Sequence, residues 1–135
     1  MLKKLSLTLL CATTLHLAHA ETCPTVAELK NNNLRGWEIY DSNNGSPLSP
    51  EQWQDFKHNA QQFLMAEYAY GAPEGPSHCY YGNQKGEYMD AFLARHSFHP
   101  GGTCAWREVD GFTRCYSNIE ACIFEEGRWD NNNNR

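Results

Sequence analysis

The residues with chemistry to offer are the cysteines and histidines. After the first twenty residues come Cys23, Cys79, Cys104, Cys115 and Cys122, and His96-x-x-His99 sits just before Gly101-Gly102. A thiol can serve as nucleophile, metal ligand or half of a disulfide, and an imidazole as base or metal ligand. No Cys-x-x-Cys occurs, so a thioredoxin-like redox pair is not expected, and no two cysteines have zinc-finger spacing. There is no Gly-x-Ser-x-Gly elbow, and no motif sets His58, His78, His96 or His99 beside a serine. Two histidines three apart can share a metal ion on a helix or tight turn, which makes His96 and His99 weak metal candidates. No Asp or Glu flanks them in a ligand pattern, so the plainer reading is a pair of exposed loop histidines. Asp41, Glu108, Asp110, Glu125 and Glu126 are acids by type only and read as solvated surface. No catalytic residue and no cofactor is expected.

The compartment follows from the first twenty residues. Lys3 and Lys4 precede an apolar run from about Leu5 to Leu17, which ends in Ala18-His19-Ala20. This is the layout of a cleaved secretory signal, and cleavage is expected after Ala20. The run is shorter than the ~20 residues that span a bilayer. The expected mature chain is one exported domain, residues 21–126, with a polar, disordered tail over residues 127–135. All sixteen acidic residues lie beyond the leader, with nine of the eleven basic ones. An acidic chain with no basic cluster argues against nucleic acid and against an anionic membrane surface. It is compatible with a basic protein partner. The location expected is the periplasm or beyond.

Export to an oxidising compartment makes disulfides the default for the cysteines. Five is odd, so two bridges and one spare thiol are expected. Thr103 to Ser117 reads as a β-hairpin turning at Asp110-Gly111, since a type I′ turn needs two residues that accept positive φ. That register sets Val109 opposite Phe112 and Trp106 opposite Cys115. Cys104 then lies diagonal to Cys115, about 7–8 Å away, which is stretched for a bridge. Cys115 with Cys122 closes a short loop without conflict, and Cys23 then takes Cys79. Cys104 remains as the free thiol, either inert in a monomer or linking two chains in a dimer, and in principle a nucleophile.

The elements that must hold these residues are partly readable. Thr25-x-x-Glu28 and Ser49-Pro50-x-Gln52 are capping boxes, each opening a helix. Arg35 to Asp41 reads as a strand. The second helix either continues to Gly71 or gives way to a strand over Phe63 to Tyr70. His78 to Asn83 reads as a short strand ending in a turn. Glu87 to Phe98 reads as a strand, although Met89, Phe92, Leu93 and His96 also have helical spacing. His99 to Gly102 reads as a turn. The fold class expected is α+β: a small antiparallel sheet with one or two helices, stapled by disulfides.

Seventeen aromatic residues are the richest remaining feature. Tyr68, Tyr70, Tyr80, Tyr81 and Tyr88 are the candidates for a binding face, because tyrosine offers rigid, amphipathic contact area. Packing in the core is the competing use of the same rings. The preferred reading is a non-enzymatic binding module for a protein or glycan. One version is an inhibitor of a basic secreted enzyme such as lysozyme. The alternative is a metal-assisted hydrolase using His96 and His99, or a thiol-dependent one using Cys104.

Several short motifs occur together: Cys23-Pro24, Cys79-Tyr80-Tyr81-Gly82, Trp106, Cys115-Tyr116 and Cys122-Ile123-Phe124. In these the chain resembles a family of small exported gammaproteobacterial proteins of unknown function. The resemblance implies a compact, sheet-rich domain with Cys23–Cys79 and Cys115–Cys122 paired. It implies no catalytic residues, and Cys104 is extra to its pattern.

Overall fold

The computed structural model describes residues 20–102 and 104–127. The leader expected over residues 1–20 lies outside the described residues but for Ala20, and the expected tail lies outside them but for Gly127. In chain order the elements are β1 (Ala20–Glu21), α1 (Val26–Lys30), β2 (Glu38–Asp41), α2 (Pro50–Asn59), β3 (Gln62–Tyr68), β4 (Ser77–Gly82), β5 (Tyr88–Arg95), β6 (Phe98–Pro100), β7 (Trp106–Val109), β8 (Phe112–Cys115) and β9 (Phe124–Glu126). All strand pairs are antiparallel. A six-stranded sheet runs β2-β5-β4-β3-β8-β7, and a three-stranded sheet runs β1-β9-β6. The expected α+β class holds only loosely. The helices are five and ten residues long, and the sheets make most of the fold.

Local chemistry explains where the helices begin and stop. The Thr25 hydroxyl accepts from the Glu28 N–H while the Glu28 carboxylate accepts from the Thr25 N–H. Ser49 and Gln52 repeat the exchange at α2, with Pro50 in the first turn. The second helix does not run on to Gly71. Ala60 turns extended at ψ 124°, and the chain enters β3, where paired strands outweigh a weak helical pattern. His99-Pro100, expected in a turn, instead belongs to β6, because Phe98 to Pro100 pairs with Phe124 to Glu126. Asp110 and Gly111 both take positive φ, 52° and 84°, and the hairpin register sets Trp106 opposite Cys115.

One face of the large sheet is covered and forms the core. Successive strand residues point to opposite faces, so Cys79 and Tyr81 of β4, Leu93 of β5, and Ala66 of β3 point inward together. They meet Leu29 of α1, Phe56 of α2, and Trp37, Phe98 and Phe124 under the small sheet, all buried. The Tyr81 ring packs edge-on against Phe56 and Phe63, and its hydroxyl donates to the Pro24 carbonyl. Cys23–Cys79 ties the start of α1 to the centre of β4, and Cys115–Cys122 ties β8 to the turn before β9.

Cys104 is disulfide-bonded as well, and no free cysteine is present among the described residues. The expected free thiol at Cys104, and with it the thiol nucleophile, is thereby corrected.

Candidate functional site: the outer face of the large sheet

Among the described residues, no helix covers the other face of the six-stranded sheet. Strand alternation and register place two cross-strand rows on it. One row reads Arg107, Arg114, Glu67, His78, Ala94 and Glu38 from β7 across to β2. The row beside it holds Met65, Tyr80, Phe92 and Tyr40. A bulge between Phe63 and Met65 makes this possible. It leaves Phe63 in the core and turns Met65 and Glu67 outward, with Leu64 filling the space above Gly82.

The aromatic row is a ladder of rings. Tyr40 and Tyr80 each stack on Phe92, at centroid distances of 6.0 and 5.7 Å. Tyr88 meets Tyr80 edge-on at 6.2 Å, and the His78 ring lies 4.8 Å from Phe92. Arg114 lies over the Phe112 ring at 5.0 Å. Offset and edge-on pairs of this kind hold one another rigid at small cost.

The charged row turns on Glu67, which is only 5% exposed. Its carboxylate accepts from Arg114 Nε at 2.8 Å and from the Tyr80 hydroxyl at 3.2 Å. Burial alone would push the Glu67 carboxyl up. Hydrogen bonds from His78 and Arg114, together with the Arg114 charge, outweigh that and hold it below the usual carboxylate range. Burial and the neighbouring Glu67 charge push the Tyr80 hydroxyl far up, so it remains a neutral donor at physiological pH.

His78 Nε2 lies 2.8 Å from the Gly75 carbonyl, which can only accept, so that nitrogen carries a proton. Glu74 Oε1 is 3.3 Å from the same nitrogen, and Nδ1 is 3.3 Å from the Tyr80 hydroxyl. Both ring nitrogens are occupied within the protein. His78 therefore fastens the connection between β3 and β4 to the sheet rather than serving as a base toward solvent. Gly75 permits the close approach: at φ 114° a side chain there would sit 2.6 Å from the Arg95 carbonyl.

Between the exposed Arg107 and Glu38 at its two edges, this face presents aromatic rings to solvent. Tyr88 is 54% exposed, Tyr116 43% and Phe112 39%, and all three stand around Arg114 and Tyr80.

The five tyrosines expected on one binding face are divided by the structure. Tyr80 and Tyr88 are together on the outer face. Tyr81 is fully buried in the core, because adjacent residues of a strand point opposite ways. Tyr68 is buried at the end of β3, and Tyr70 stands beyond that strand, exposed but tilted against Tyr68. His99 donates from Nδ1 to the Gly127 carbonyl, with Nε2 3.5 Å from Glu125, while His96 lies in the turn between β5 and β6. No group of three or more metal-ligating side chains occurs among the described residues.

Sequence reasoning did not find Glu67, Arg114, Phe92, Tyr40 or Tyr116 as members of this face. The available signal was period-two alternation, Met65 with Glu67 and Phe112 with Arg114 and Tyr116, once those segments are taken as strands.

No helix of the described residues is long and apolar enough to cross a membrane. Among proteins already characterised, no family model, no curated protein and no solved structure matches the chain.

Proposed function

We propose that this protein is a small exported binding module that captures a protein partner on the outer face of its six-stranded sheet. Secretion to the periplasm or beyond, and kinship with the small exported gammaproteobacterial proteins, belong to the same reading. The observation that carries it is the platform of Tyr88, Tyr116 and Phe112 around Arg114, backed by a buried network that fixes every ring.

Tyrosine and arginine dominate the centres of protein interfaces because they bring area without much loss of conformational freedom. Six strands at ~4.8 Å spacing make a face about 24 Å across. That width suits the ~800 Å² each partner gives to a standard protein interface. Disulfide bonds fit an oxidising compartment, where such a partner would be met. The formal charge of −5 for the whole chain would speed encounter with a basic protein, and a basic secreted enzyme held in check is one such partner.

A photo-crosslinking amino acid placed at Tyr88, at Tyr116 and at Gln54 on α2 tests this in the native compartment. One adduct of defined mass is expected from Tyr88 and Tyr116 but not from Gln54. Equal adducts at all three positions, or none at Tyr88 and Tyr116, would overturn the proposal.

A further inference from the structure

The large sheet has an even number of strands, so a line between β3 and β4 divides it into matched halves. A two-fold rotation about an axis along that line, just above the outer face, sets a second copy of the sheet against the first. Each strand then faces its counterpart from the other half: β3 faces β4, β8 faces β5 and β7 faces β2. Sheets stacked this way lie ~10 Å apart with strands within about 30° of one another.

Rotation about the strand direction keeps each cross-strand row at its own height and reverses its order. The charged row runs from Arg107 on β7 to Glu38 on β2. Laid against itself in reverse, Arg107 meets Glu38, the long Arg114 meets the small Ala94, and Glu67 meets His78. Opposite charges face each other at both ends, and no two like charges meet. In the ring row Met65 meets Tyr80, and Tyr116, next after β8 and beside Met65, meets Phe92. Thioether on ring and ring on ring are both favourable contacts. The other two-fold arrangement, about an axis along the row, would set Arg107 on Arg107 and Glu38 on Glu38. The charges therefore select one arrangement and reject the other.

The end charges are available for this. Arg107 and Glu38 are both exposed. Arg107 makes no side-chain hydrogen bond or ion pair among the described residues, and it stands directly opposite Arg114, where like charges repel. Glu38 accepts from the Tyr40 hydroxyl at 2.9 Å and keeps acceptor sites for a guanidinium. The whole chain is acidic, but the charged row sets two arginines against two glutamates, so repulsion between two copies is not concentrated here.

Resting on the reading of the outer face as a protein-binding surface, we propose that its partner is a second copy of this chain, held face to face about the axis between β3 and β4. Arg107 of each copy pairs with Glu38 of the other, and the exposed rings of Tyr88 and Tyr116 are covered between them.

The test is sedimentation equilibrium of the native, oxidised protein and of two charge reversals at the exposed edges, Arg107→Glu and Glu38→Arg. Wild type should dimerise reversibly. Each reversal alone brings like charges together at both ends of the interface and should weaken the dimer about tenfold or more. Mixed in equal amounts, the two variants restore opposite charges at both ends, and they should form a heterodimer within about threefold of the wild-type affinity. A photo-crosslinking amino acid at Tyr116 should give an adduct of twice the chain mass. A wild type still monomeric at about 200 μM, a concentration that reveals even weak micromolar association, would overturn the proposal. So would a dimer that either reversal leaves unchanged, or a mixture no tighter than its components. An adduct of any other mass from monomeric protein would overturn it and leave the outer face standing as a binding surface. No adduct at all would remove both.

Discussion

Arg114→Met should unbalance the outer face through Glu67, and the size of the effect can be worked from the structure. The Arg114 Nε to Glu67 Oε2 distance is 2.8 Å, and the carboxylate is nearly sealed from water while the arginine side chain keeps 21% exposure. Two unit charges ~4 Å apart attract by about 4 kcal/mol at an effective dielectric of ~20. Desolvation of Glu67 takes back a share on the order of half. The net loss expected is about 2 kcal/mol, or about 8 °C in Tm for a domain of this size. Methionine keeps most of the packing area, so lost volume does not confuse the result.

The pH dependence identifies the cause. The folded-state pKa of Glu67 is depressed, so its stabilisation is fully present above the unfolded value, 4.5 for a free glutamate, and is lost as pH falls through the folded value. The gap between wild type and Arg114→Met in urea unfolding should therefore be full at neutral pH and close as the solution is acidified below about pH 4. A double-mutant cycle with Glu67→Gln should return a coupling above about 1 kcal/mol. A gap that is the same at neutral and acid pH, or a coupling below about 0.5 kcal/mol, would refute the reasoning.

Other perturbations separate scaffold from surface. Replacing Cys23 and Cys79 by alanine should cost about 4 kcal/mol and replacing Cys115 and Cys122 about 2.5, from the entropy of loops that span 56 and 7 residues, read by urea unfolding of each double variant. Tyr81→Phe removes a buried hydroxyl and leaves the Pro24 carbonyl without that donor, so about 1–2 kcal/mol should be lost in the same assay. Tyr88→Ala and Tyr116→Ala should change stability by no more than about 0.5 kcal/mol, yet abolish the outer-face crosslink when the probe is moved to Phe112.

Where the chain marks its elements with local chemistry, the sequence reads clearly. The capping boxes at Thr25 and Ser49 and the positive-φ pair Asp110-Gly111 are made by residues within a few positions of one another, and all three are in the structure. The ambiguous segments have a different cause. Ala91 to Ala94 is buried on both faces, with Ala91 and Leu93 in the core and Phe92 among the rings of Tyr40, Tyr80 and His78 on the outer face, and burial on both sides erases the alternation that identifies a strand. The outer-face network joins Glu67 to Arg114 across 47 residues, and no local pattern encodes that meeting. One error was avoidable. Once Cys79 to Gly82 is taken as a strand, Tyr80 and Tyr81 must point to opposite faces, so only one of them can serve a binding surface. The histidine pair is divided: His96 lies in a turn, as a loop reading expects, while His99 belongs to β6, which is recruited by a strand 26 positions further on.

The small sheet imposes an order on how the molecule can be made. Its central strand is β9, the last strand of the described residues, which lies between β1 and β6. Until Phe124 to Glu126 has emerged, neither neighbour has anything to pair with, and Trp37 and Trp106 lack the ring of Phe124 against which both pack. A chain threaded out of a narrow channel from its amino end therefore cannot close this part of its core early. The small sheet stays open until β9 has passed, and that strand closes it like a bolt.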